Sequence, residues 1–233
     1  MEFYFGGYYL IEGSLVHEKI WMDQKILPPI LYTPSNCICE LYPNVACLGW
    51  VKQDRKTTKK FRNKLSLNKR EFAALQNKVD KWFDEGKYGW GSLFLDLDAA
   101  KVFAKQYLGG IQNIKLIAIA ASNKDRELFL EEEMPGNLGT AGNYLALERG
   151  EVIDIKSGFR GYEILGFEMG SFHSFICYSL EKEFNHVLNL SLNQYGLLNN
   201  YDDACRASDY VLSPDSEVYP YLWQPWAIIE IPI

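Results

Sequence analysis

The sequence has no apolar run long enough to cross a membrane. Its longest uninterrupted aliphatic stretch is Leu116 to Ala121, far short of the roughly 20 residues that a spanning helix needs. It has little cysteine: Cys37, Cys39, Cys47, Cys177 and Cys205 are an odd, scattered set in 233 residues, which does not form a disulfide framework of the small secreted kind. Reduced, mostly buried thiols in a cytoplasmic protein are the simplest expectation. There is no net basic charge either. The formal charge is −6, which argues against a general nucleic-acid or anionic-membrane binder. Residues 1–11 carry no basic stretch or small-residue cleavage pattern, so they read as a strand and not as a secretory signal.

Apolar side chains make up 48% of the chain, and the aromatics comprise 6 Trp, 15 Tyr and 13 Phe. That composition is globular. A chain of this length buries roughly 70–75% of its unfolded surface without needing metal or disulfide staples. The aromatics gather at both ends, in Phe3 to Tyr9 and Tyr219 to Trp226, which predicts terminal strands held inside the fold. The summary charge also conceals a segregation. Between Lys52 and Arg70 there are nine basic residues and one acid, Asp54, so this segment carries +8 and the remainder −14.

Strands are expected over 3–11, 28–34 and 42–52, with Pro28-Pro29 in the first connection. The clearest helix starts after Asn68, where Glu71 completes a capping box. It buries Phe72, Leu75, Val79, Trp82 and Phe83 and stops at Gly86. Leu93-Phe94-Leu95 reads as a short buried strand, followed by a helix capped by Asp96 or Asp98 that ends at Gly109-Gly110. Ile114 to Ala121 is apolar on both faces, as a central strand should be. A short acidic helix from Ser122 or Asn123 follows. The texture then loosens: eight of the 35 residues from Gly136 to Gly170 are glycine. Residues 142–155 read as hairpin or loop, 162–168 as a strand, 174–188 and about 200–211 as helices, and 226–231 as a final strand. No internal repeat is present. The expectation is a single α+β or α/β domain, a mixed sheet flanked by helices, with 134–142 as the place where a lobe boundary would fall.

Two segments carry candidate chemistry. In Gly166 to Glu181, a strand end, a glycine turn and a helix start would follow one another, the kind of junction where sites gather in open sheets. Glu168, Ser171, His173, Ser174 and Cys177 lie within ten residues of one another. If the helix begins at His173, His173 and Cys177 share a face at i and i+4, which suits a Cys/His nucleophile pair in a hydrolase or transferase. The plainer account has Ser171 capping, His173 bonding backbone and Cys177 in the core. Adding Cys37-x-Cys39 would make a Cys₃His set, but the spacing is not that of a structural zinc site, so no metal or other cofactor is expected. Gly136-x-x-Gly139-x-x-Gly142 matches no phosphate-loop pattern. Asp96-x-Asp98 reads as a helix cap. The second segment is the basic one, where Lys56, Lys59, Lys60 and Arg62 offer a docking surface for an acidic partner. Phosphate tracking is the weaker reading, because nothing else in the chain is basic.

Gly161 to Glu168, Gly170-Ser171-Phe172-His173-Ser174-Phe175-x-Cys177, Leu192-Asn193-x-Tyr195-Gly196-Leu197, Tyr201-Asp202-Asp203-Ala204 and Trp223-x-Pro225-Trp226 together resemble a pattern of bacterial cytoplasmic proteins over residues 140–233. Some of these are similar to the immunity or antitoxin proteins of contact-dependent systems. The resemblance implies a non-catalytic role, binding a toxin or another protein partner, and it brings no catalytic residue with it.

Overall fold

The computed structural model describes residues 1–12, 32–35, 55–89, 93–111, 113–132, 141–168, 171–216, 218–219 and 221–233. The strands expected over 42–52, the Pro28-Pro29 connection, Cys37, Cys39, Cys47 and nearly all of 134–142 lie outside these residues. Of the strand expected over 28–34, residues 32–34 are described, and they are not part of the sheet.

The fold is α+β, built, among the described residues, on a seven-stranded antiparallel sheet. Its strands are β1 (Phe3–Glu12), β2 (Tyr88–Gly89), β3 (Leu93–Phe94), β4 (Ile114–Ser122), β5 (Phe159–Glu168), β6 (Ser171–Ser174) and β7 (Leu222–Ile231), in the order β2-β3-β1-β4-β7-β5-β6. The two chain ends therefore both supply interior strands. β1 lies between β3 and β4, and β7 between β4 and β5, so the terminal aromatics are locked in place as their clustering predicts. β4 is central, and Leu116 to Ala121 are all fully buried.

Among the described residues the helices are α1 (Arg55–Lys64), α2 (Lys69–Asp84), α3 (Leu97–Tyr107), α4 (Asn123–Glu132), α5 (Ala141–Glu148), α6 (Glu181–Leu188) and α7 (Tyr201–Val211). Asn68 caps α2 with the reciprocal Glu71 box, Asp96 caps α3 and Asn200 caps α7. These side chains accept backbone N–H groups that the first helical turn leaves without partners.

Strand register sorts the side chains into two faces. On the first face, Tyr9, Ile117 and Glu230 stand in line across β1, β4 and β7, followed along the strands by Ile228, Trp226 and Gln224 of β7 and by Glu163, Leu165 and Phe167 of β5. Helix α4 covers this face through Phe129, whose ring lies 4.9 Å from Phe167 and 5.7 Å from Trp226. Helix α5 joins it through Asn143, which donates to Gly6 O at 2.7 Å and accepts from the Tyr9 hydroxyl at 3.3 Å. The opposite face carries Leu10 and Leu116, packed with Phe72, Leu75, Phe94 and Phe103 of β3, α2 and α3. Farther along that face, Tyr201 of α7 meets the Tyr162 ring at 5.7 Å, and Ser208 donates to Trp223 O.

Two expectations fail. Residues 142–155 are not a hairpin: α5 occupies 141–148. Gly142 is tolerated in it because a Cβ there would come within 2.6 Å of the Leu93 side chain and 3.5 Å of Gly89 Cα, so close packing outweighs helix propensity. Nor is 174–188 one helix. Ser171–Ser174 form edge strand β6, Phe175–Tyr178 a 3-10 turn capped by Ser174, and α6 starts only at Glu181. Ser179 separates the last two in a left-handed conformation with φ 58°.

Candidate functional site

The β5–β6 hairpin brings Glu168 and His173 together. Gly166 pairs with His173 and Glu168 with Ser171, and the Glu168 carboxylate reaches His173 Nε2 at 3.5 Å. The imidazole stacks on Tyr221 with centroids 4.4 Å apart, and Tyr221 stacks in turn on Tyr219. Partial burial lowers the His173 pKa below the usual histidine value, and Glu168 opposes that shift. His173 lies in a strand, so its helical i, i+4 relation to Cys177 does not exist. The sulfur of Cys177 lies instead beside Ser35, whose Oγ is 3.5 Å away. Contrary to the expectation of reduced thiols, Cys177 is disulfide-bonded, and a sulfur in that state is not a thiolate nucleophile. Ser171 is not a helix cap; Ser174 has that role.

The basic segment forms a surface that the sequence outlined only as a charge run. Lys56, Lys59, Lys60 and Arg62 all belong to α1, and Lys56, Lys59 and Lys60 are exposed. Between α1 and α2 lies an open cleft of about 820 Å³, lined by Thr58, Lys59, Arg62, Lys69, Gln76, Asn77 and Asp80. Phe61 and Leu65 anchor α1 beneath it, with the Phe61 ring 6.2 Å from Phe72 of α2. The apolar side of α1 thus fixes the helix on α2, and Lys56, Lys59 and Lys60 lie on its exposed side.

Sequence reasoning missed a third feature. Glu163 of β5 is fully buried on the first sheet face, opposite Trp226 and diagonal to Gln224 of β7. Among the described residues, both amide atoms of Gln224 and the Trp226 indole nitrogen have no hydrogen-bond partner. Burial pushes the Glu163 pKa up to about 8. Side-chain hydrogen bonds with Ser174 and Thr33 pull it the other way. Residues 32–35 run over the carboxyl, all buried. Tyr32 donates to Glu230 Oε2 at 2.8 Å, and Ser35 Oγ accepts from Ser174 N at 3.1 Å. The sequence signal was an acid at an inward-facing position of an otherwise apolar strand.

Two other polar clusters are internally satisfied. Glu230 accepts from Lys115, Arg160 and Tyr32 at 2.8–2.9 Å. Burial raises its pKa, but these donors outweigh that and hold it below the usual carboxylate value. Asp125 receives hydrogen bonds from Ser122 and Tyr201, both at 2.7 Å, at the start of α4; burial raises its pKa. Asp96 accepts from Ala99 N as a helix cap. Among the described residues, no group of three or more His, Cys, Asp or Glu side chains is placed to hold a metal ion, and no helix is long and apolar enough to cross a membrane. No protein-family model, curated protein or solved structure gives a significant match to the chain.

Proposed function

We propose that this is a non-catalytic binding protein of the immunity or antitoxin type, which docks an acidic protein partner through the α1–α2 face. The observation that carries this reading is the cleft in which Lys59, Arg62 and Lys69 converge with a single acid, Asp80. Convergent cations on a rigid helix pair speed association with an acidic surface and disfavour basic partners. The −14 borne by the rest of the chain repels nucleic acid, so a compact acidic protein surface fits better than a long phosphate backbone.

The test uses two probes, a polyglutamate peptide and a duplex DNA, titrated at low and moderate salt. Polyglutamate is expected to bind at low salt, to weaken as salt is raised, and to lose roughly tenfold in affinity in Lys59→Glu/Arg62→Glu. Tighter binding of DNA, with a steep salt slope, would replace the protein partner by nucleic acid. No binding of either probe would remove the docking reading.

A further inference from the structure

We propose that the α1–α2 cleft receives a phosphoserine or phosphothreonine side chain of the acidic partner. This rests on the docking reading above and names the group that the cleft selects. Lys59 and Arg62 stand three residues apart on α1, and Thr58 lies four residues before Arg62, so the three share one side of the helix. Lys69, the first residue of α2, lines the same cleft from the other wall. Arg62, Thr58 and Gln76 are half-buried there, whereas Lys59 and Lys69 are exposed. The other half-buried cations Lys115 and Arg160 are both held by Glu230 at 2.8 Å. Lys59, Arg62 and Lys69 make no ion pair among the described residues, so their charge is directed at the cleft.

Charge selects the group. Three cations and one acid, Asp80, leave the cleft at +2. A phosphate monoester carries close to two negative charges at neutral pH and three acceptor oxygens. A carboxylate has one charge and two oxygens, and each phosphodiester of a nucleic acid has one charge. The planar guanidinium of Arg62 can offer two parallel N–H donors to adjacent phosphate oxygens, while Lys59 and Lys69 add point charges from both walls. Size selects the carrier. At about 820 Å³ the cleft is far larger than a phosphate group, and Gln76 and Asn77 line the space beyond the cations. Side-chain amides of this kind pair with both the N–H and the C=O of a peptide backbone. None of the seven lining residues is aromatic, so the cleft offers no platform for a nucleobase.

The test titrates three versions of one short acidic peptide into the intact chain, with serine, glutamate or phosphoserine at the centre, beside the polyglutamate probe. At about pH 7.5 the phosphoserine version is expected to bind about tenfold more tightly than the glutamate version. That advantage should shrink below about pH 6, where the phosphate takes up its second proton and glutamate is still ionised. Arg62→Lys keeps the charge and removes the fork, and it should bring the two affinities to within about threefold of each other. Equal binding of the phosphoserine and glutamate versions, with polyglutamate still bound, would overturn the phosphate reading and leave acidic docking in place. If neither the peptides nor polyglutamate bind, docking itself fails and this proposal with it. Inorganic phosphate that displaces the phosphopeptide at concentrations near the peptide's own Kd would overturn the peptide carrier in favour of a free anion. Duplex DNA that does so would overturn it in favour of nucleic acid.

Discussion

Glu163 makes the stability of this protein depend on pH in a direction unusual for a glutamate. Its pKa in the fold is about 8, against 4.5 when unperturbed. Below pH 4.5 the carboxyl is neutral in both folded and unfolded chains, and whatever it contributes is fully present. As pH rises from there to 8, the unfolded chain gives up its proton and the folded one keeps it, so stability falls by about 1.4 kcal/mol per pH unit. Above pH 8 both states are ionised and the loss levels off at roughly 3–5 kcal/mol. That is a large part of the 5–15 kcal/mol typical of a folded domain. Glu163→Gln keeps the shape and removes the titration. Urea unfolding of both proteins across pH 5–9, followed by tryptophan fluorescence in amine-free buffers, gives the difference directly. The variant should gain on the parent steadily between pH 5 and 8. Asp125 and Glu181, raised by burial, and His173, lowered by it, titrate in both proteins and cancel. A difference that stays flat across this range would refute the reasoning, because it would mean that the carboxyl reaches water or a counter-charge inside the fold.

Removing the central acceptor of the Lys115–Arg160–Tyr32 cluster is the next test: Glu230→Gln should lower stability by roughly 1–3 kcal/mol, read as a lower urea midpoint, because two half-buried cations lose their counter-charge. Asn68→Ala, which removes the side chain accepting Arg70 N and Glu71 N at 2.9 and 3.0 Å, should cost about 1 kcal/mol. That change should loosen the seat of α1 and speed amide exchange in the first turn of α2.

Legibility in the sequence followed the locality of the determinant. Helix α2 was readable because its cap, its reciprocal Glu71 and its apolar stripe all lie within sixteen residues, although Phe83, expected in that stripe, is exposed. β4 was readable because a strand buried on both sides has to be apolar throughout. Helix α5 was not, because its place depends on Gly142 meeting Gly89 and Leu93, 53 and 49 residues earlier in the chain. The helix expected over 174–188 failed for a related reason. Phe172 and Ser174 are both buried, an alternation that declares β6 a strand, but four residues are too few to separate from a helix start. The candidate site divides along the same line. The charge on α1 was plain in the sequence, whereas the cleft required α1 and α2 to be placed. Glu168 and His173 do meet, though through hairpin register and not on a helix face.

The acid in β5 shows why an inward-facing charged residue is worth more attention than a cluster of reactive types. Glu168, His173 and Cys177 drew notice because their chemistry is versatile, yet each is accounted for locally: Glu168 and His173 by each other, His173 also by Tyr221, and Cys177 by its disulfide. Glu163 sits one strand position from Tyr162 and looks unremarkable in sequence. Its alternation with Leu165 and Phe167 nevertheless commits it to the interior, where nothing on the sheet neutralises it. A sheet of this size has room for a leucine at that position, which would be more stable by the whole cost of the buried carboxyl. The fold instead keeps a carboxyl, an amide and an indole N–H together beneath residues 32–35.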